Sequence, residues 1–184
     1  MTPFEYVSVL LSIVISLALA HLLIGVTKII RAGVRRWSIP LVGWIGLLAF
    51  MCVDYWFSLW AARDDPVWSL GFVCFLLLLG AVLFMNCWLV MPEVDVSEPV
   101  DLAAQYSVLR RKFLAGLLTY MILGHLTNLV LAGFQSIEIK LLGLGQLSLI
   151  LTAWISESPR VQLGVIAAMY CLTAWYAVNF IPAL

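Results

Sequence analysis

Charge is scarce in this chain. Lys, Arg, Asp and Glu together supply 11% of its 184 residues and cancel to a net charge of zero, where a soluble domain carries about a quarter. With no basic surface, nucleic acid binding has nothing to rest on. Only four cysteines occur, Cys52, Cys74, Cys87 and Cys171, none in CxxC spacing, so neither a disulfide framework nor a zinc site is expected. Glycine-rich phosphate loops, paired metal-ligand motifs and a GxSxG elbow are also missing. No catalytic constellation is legible, and no stretch is long enough for a separate soluble domain.

What the chain has is hydrocarbon. Apolar residues make up 64% of it, and the mean hydropathy is +1.08. A spanning helix needs ~20 such residues to cross a core of ~30 Å, and helices satisfy their own backbone polar groups, as lipid demands. Six runs qualify, predicting spans over residues 5-27, 38-62, 66-91, 113-134, 138-156 and 160-182. The runs are continuously apolar, unlike the alternation of a β-barrel. The expected fold is all-α: a polytopic membrane helix bundle of six transmembrane helices in one domain.

Basic residues set the orientation. Lys28, Arg31, Arg35 and Arg36 lie between the first two spans, Arg110, Arg111 and Lys112 precede the fourth, and Arg160 precedes the sixth. Those connections share one side, expected to be cytoplasmic with both termini opposite. The start Met1-Thr2-Pro3-Phe4-Glu5 has no basic residue, so the first span is expected to be retained rather than cleaved. Arg31, Arg35, Arg36, Arg110, Arg111 and Lys112 are the candidates for lipid-headgroup contact. In the one long connection, Leu102, Tyr106, Leu109 and Phe113 recur at helical spacing. This predicts a cytoplasmic interfacial helix over 101–112 with Asp101 as its N-cap.

The two halves echo each other. One constant offset carries Pro66, Leu70, Gly71 and Asn86 onto Pro159, Leu163, Gly164 and Asn179, and the first and fourth spans hold one histidine each, His21 and His125. Three spans per half would make a 3+3 inverted repeat, a plan transporters use with the site at midplane.

Asp54 stands near the middle of the second span, where a charge costs ~3 kcal/mol or more and marks a functional candidate. It shares a face with Gly43, Leu47, Phe50 and Ser58, so it is expected to look into the bundle. His21 and His125 are its expected partners, since imidazole changes charge near neutral pH. Asn128, with Gln146 and Thr119, adds a polar seam, and Asn86 and Asn179 complete the ion- or proton-binding candidates. Each of these polar groups also serves as an ordinary interhelical hydrogen bond. His21 and His125 fall about 10 Å apart along the membrane normal at 1.5 Å per residue, and bis-histidine haem ligation is the one cofactor they suggest.

Ser8, Ser12, Ser16 and Ala20 form a small-residue ridge on the first span, as do Gly116, Gly124, Asn128 and Ala132 on the fourth, and both are expected to pack against neighbouring helices. Trp37, Trp60, Trp68, Trp88 and Trp154 fall near span ends, as an interfacial belt requires. Trp56, one turn from Trp60, suggests a seat for a lipid, pigment or quinone ring.

The segments Phe4-Glu5-Tyr6-Val7-Ser8-Val9-Leu10-Leu11-Ser12-Ile13, Ala20-His21-Leu22-Leu23 and Tyr55-Trp56-Phe57-Ser58-Leu59-Trp60 resemble a widespread family of small, functionally uncharacterised bacterial inner-membrane proteins. So does Met91-Pro92 followed by acids, Tyr106 and Arg110-Arg111-Lys112-Phe113. The resemblance covers the first two-thirds of the chain and implies a bacterial inner-membrane home. It implies nothing about catalysis.

Together these features favour a proton- or ion-linked transporter or channel-like protein, expected as a homo-oligomer in the lipid bilayer. The alternatives are an accessory or scaffold subunit of a larger membrane complex, and a haem-, quinone- or pigment-binding membrane protein.

Overall fold

The computed structural model describes residues 3–61, 63, 68–131 and 137–180. In chain order these form α1 (Pro3–Ala32), β1 (Val34–Arg36), α2 (Ile39–Ala61), α3 (Leu70–Val90), β2 (Val100–Asp101), α4 (Leu102–Leu131), α5 (Ile137–Ile155) and α6 (Pro159–Phe180). The architecture is all-α apart from the two short strands. Five helices, α1, α2, α3, α5 and α6, are long and apolar enough to cross a membrane. The span expected over 113–134 falls on the rest of α4 and on residues outside the described set.

Two compact units divide the chain, Met1–Phe113 and Leu114–Leu184. In the first, α1 and α3 lie side by side. Gly25 meets Met91, His21 meets Trp88, and Val14 meets Gly80, so the contacts advance together and the two helices run parallel. α2 runs back against them. Its Tyr55 hydroxyl donates to the Leu76 carbonyl at 2.7 Å, and Cys52 Sγ lies 3.8 Å from Cys87 Sγ.

Each helix buries a narrow seam at three- and four-residue steps: Val7, Leu11, Ile15, Ala18 and Leu22 on α1, and Leu41, Trp44, Leu48, Cys52, Tyr55 and Leu59 on α2. That is knobs-into-holes spacing. Large apolar side chains on the other faces, Tyr6, Ile13, Leu23, Ile30 and Leu70 among them, are exposed. A protein in water rarely shows so much contiguous apolar surface; hydrocarbon is the solvent that suits it.

At the basic end of this unit the strands pair in parallel, Val34 with Val100 and Arg36 with Asp101. Gly33 turns the chain out of α1 at φ +76°, a conformation glycine adopts without Cβ strain. Its carbonyl accepts the Val100 N–H at 3.0 Å. Hydropathy gave no hint of these strands. The first and third connections therefore meet at one end of the unit.

Asp101 does cap α4: its Oδ1 accepts the Ala104 N–H at 2.9 Å. The separate interfacial helix over 101–112 is not seen. α4 runs unbroken through Arg110–Lys112 to Leu131, because nothing between Leu102 and Leu131 breaks a helix: there is no proline, and the two glycines, Gly116 and Gly124, cost only ~1 kcal/mol each. Its first turns are buried at Leu102, Tyr106, Arg110 and Phe113. The Trp44 indole donates to the Tyr106 hydroxyl at 3.0 Å and meets the Phe113 ring edge-on.

In the second unit, α5 and α6 form a hairpin whose turn is spanned by the Gln162 side chain. The Gln162 amide donates to the carbonyls of Ala153 at 2.7 Å and Ser156 at 2.6 Å, satisfying the end of α5 that its own ladder leaves open. The pairings differ between units. α1 packs chiefly on α3, whereas α6 packs chiefly on α5, and among the described residues α4 has no comparable pairing with α6. Pro66 lies outside the described residues.

Candidate functional site

His21 sits two-thirds along α1, half-buried. Its ring stacks on the Trp88 indole of α3 with centroids 4.0 Å apart and planes 13° from parallel. Nε2 is shielded from solvent and has no hydrogen-bond partner among the described residues. Lys28, nearly two turns further along the same helix, is the charge that acts on it. Trp88 had the signature of a belt tryptophan near its span end; it is more than half exposed, and the face it turns inward is the seat of the imidazole. An indole face suits both forms of the ring, stacking with neutral imidazole and attracting imidazolium by cation–π interaction. His21 can thus change charge without losing its seat.

Asn86 lies on α3, 1% exposed. Its Nδ2 donates to the Val82 carbonyl one turn back at 2.8 Å, and Oδ1 is buried without a partner. A buried acceptor left unmade costs about 1–3 kcal/mol. Asn179, its expected counterpart, makes the same one-turn bond to Trp175 at 2.7 Å but is exposed.

Asp54 is half-buried on α2 with Oδ1 screened from solvent. The face expected to look inward is only partly right. Leu47 is buried, Phe50 and Asp54 are half-buried, and Ser58 is exposed. The buried seam is the neighbouring one through Trp44, Leu48, Cys52 and Tyr55, so Asp54 stands at its margin. The bulky ring and hydroxyl of Tyr55, bonded across to α3, claim the centre. His21, Asn86 and Asp54 therefore occupy three helices of one unit that pack on each other.

His125 belongs to the second unit. Its ring lies against Gly143 of α5, in the volume a Cβ there would fill, and hydrogen-bonds the Gly143 backbone. Its Nε2 is buried without a partner. Of the polar seam expected around it, only Thr119 and Gln146 have described side chains. Thr119 is exposed and donates to its own Ala115 carbonyl at 3.0 Å, Gln146 is half-buried, and the Asn128 side chain lies outside the described residues. No group of three His, Cys, Asp or Glu suited to a metal occurs among the described residues.

Of the headgroup candidates, Arg31, Arg35, Arg36, Arg111 and Lys112 are exposed. Arg110 is not: at 5% exposure it is a core residue beside Tyr106, on whose hydroxyl its charge acts. One helical turn separates it from Tyr106 on the same buried face of α4. Sequence reasoning also missed Gln162, whose only signal is a lone amide four residues after Ser158.

The Ser8–Ala20 ridge is not packed against a helix. It forms one wall of an open groove whose other wall is Trp56 and Trp60 of α2. No family model, curated protein or solved structure matches the chain.

Proposed function

We propose that this chain is a six-span inner-membrane protein of bacterial type that moves protons or small cations, with His21, Asn86 and Asp54 of the first unit as the polar pathway. α4 supplies the sixth crossing in this reading, with the basic connections cytoplasmic and the termini opposite. The pairing of β1 with β2 supports that orientation, because it brings two of the three basic connections to one end.

One observation carries the reading: the buried, unpartnered Nε2 of His21 stacked on Trp88. A buried imidazole nitrogen with no partner among the described residues offers a hydrogen-bond site to a water or a ligand site to a cation that enters the bundle. The Asn86 carbonyl oxygen is a second open acceptor, and Asp54 offers a carboxylate on the third helix. The inverted repeat is not needed for this pathway, since all three residues lie in one half.

Reconstituted protein in liposomes loaded with a proton-, sodium- or potassium-sensitive dye tests it. Imposed proton, sodium and potassium gradients should decay faster than in protein-free vesicles, and His21→Gln and Asp54→Asn should each slow the decay by about tenfold or more, the scale of losing one ~1.4 kcal/mol interaction. Wild-type vesicles that hold all three gradients as well as empty ones would rule the proposal out.

A further inference from the structure

We infer that the groove between α1 and α2 seats one acyl chain of a phospholipid, with the Arg63 guanidinium at its end placed for the lipid phosphate. This is independent of proton or cation movement. The groove encloses about 620 Å³, within the range of ~300–1,000 Å³ that small-ligand sites occupy. From Ser8 to Ala20 it runs along the α1 axis for about 18 Å at 1.5 Å per residue. One leaflet of a ~30 Å core is about as deep, so the groove has the length and direction of a lipid chain.

Its two walls differ in kind. On α1 the small side chains of Ser8, Ser12, Ser16 and Ala20 stand beside Val9, Ile13 and Leu17, and the Ser8 hydroxyl donates to the Glu5 carbonyl of its own helix at 3.1 Å. On α2 the wall is aromatic: Trp56 and Trp60 stack with centroids 6.1 Å apart and planes 17° from parallel, and remain 40% and 38% exposed. A second helix docks on a small-residue ridge by bringing its backbone close. The two indoles hold a backbone off, whereas a flexible chain conforms to the step between walls.

Charge decides the occupant. Arg63 Cζ lies 5.0 Å over the Trp60 ring, at the end of the groove where α2 finishes. Arginine on an aromatic face at a span end combines the two features that meet lipid headgroups, a phosphate-binding fork and an interfacial ring. A chain lying in the groove has its phosphate at this level.

Native mass spectrometry of the full chain extracted in mild detergent, with added palmitoyl-oleoyl phosphatidylglycerol or phosphatidylcholine, tests the assignment. Wild type should retain one phospholipid per chain. Ser12→Leu with Ser16→Leu, which fills the groove, should cut retention at least about fivefold, since the leucines take the van der Waals contacts that the chain would make. Ser16→Ala, which leaves it open, should not. Arg63→Gln, at an exposed position, should weaken retention of phosphatidylglycerol more than of phosphatidylcholine. Equal retention in wild type and in the filled-groove variant would overturn the proposal. So would an Arg63→Gln variant that binds both lipids like wild type, or a homodimer that the filled-groove variant dissociates.

Discussion

The Trp44 indole N–H donates to the Tyr106 hydroxyl at 3.0 Å, tying the first turns of α4 to the buried seam of α2. Trp44 is fully buried and Tyr106 nearly so, so neither group can turn to water when the other is lost.

Tyr106→Phe should therefore cost about 1–3 kcal/mol of stability in detergent, the penalty of a buried donor left unmade. Trp44→Phe combined with Tyr106→Phe should cost less than the two single losses together, because the bond between them is lost only once. Additive losses in chemical denaturation would show that the bond contributes nothing.

The same hydroxyl predicts a pH dependence. Burial pushes the Tyr106 phenol up to about 12 from its ordinary value of 10.0, with the Trp44 hydrogen bond and the Arg110 charge pulling weakly the other way. A group whose folded value is raised stabilises fully below its unfolded value and loses that contribution as pH climbs through the folded one. Wild type should thus lose stability between pH 10 and 12 more steeply than Tyr106→Phe. Identical alkaline profiles for the two would contradict this.

Gly143→Ala should destabilise the second unit by about 1–3 kcal/mol, the usual cost of overpacking, because the His125 ring fills the space its Cβ would take. Gly164→Ala, with nothing within 4 Å of the new methyl, should be neutral or gain up to ~1 kcal/mol from helix propensity. Thermal melts of the two variants give the comparison; a harmless Gly143→Ala would mean that the ring is free to move aside.

Gln162→Leu removes the two hydrogen bonds from its amide to the Ala153 and Ser156 carbonyls. It should speed amide hydrogen exchange over residues 153–162 and lower stability by about 1–3 kcal/mol. Unchanged exchange there would show that the turn holds without the amide.

Topology is accessible to labelling. In a background with all four native cysteines replaced by alanine, single cysteines at Arg36, Ser97 and Ser158 should react with an impermeant maleimide from the same side of sealed vesicles. Arg36 ends β1 and Ser97 precedes β2, and the strands pair, so the two must agree. A Ser158 site labelled from the opposite side would remove the crossing assigned to α4.

Some of this was readable along the chain. The Asp101 cap needed only a carboxylate at the start of a helix. The ends of α2, α3, α5 and α6 lie within a few residues of the apolar run limits, and α1 overshoots its run because Lys28 and Arg31 extend a helix without interrupting it. The His21–Trp88 stack, the burial of Arg110 and the open Ser8–Ala20 ridge were not readable. The stack and the ridge depend on which way a helix is turned about its axis, and helices apolar on every side give no amphipathic stripe to reveal that; Arg110 stands on the Tyr106 and Phe113 face of α4, where a charged residue reads as exposed.

The sequence alone determined the all-α class and the long apolar segments, because hydropathy adds up over consecutive residues and ~20 of them are needed to cross a bilayer. Only the tertiary structure decided which polar groups meet: His21 with a tryptophan rather than an acid, Arg110 with the core rather than the lipid surface. Such partners lie tens of residues apart, and side-chain packing between helices, to which the hydrocarbon outside is indifferent, selects among them.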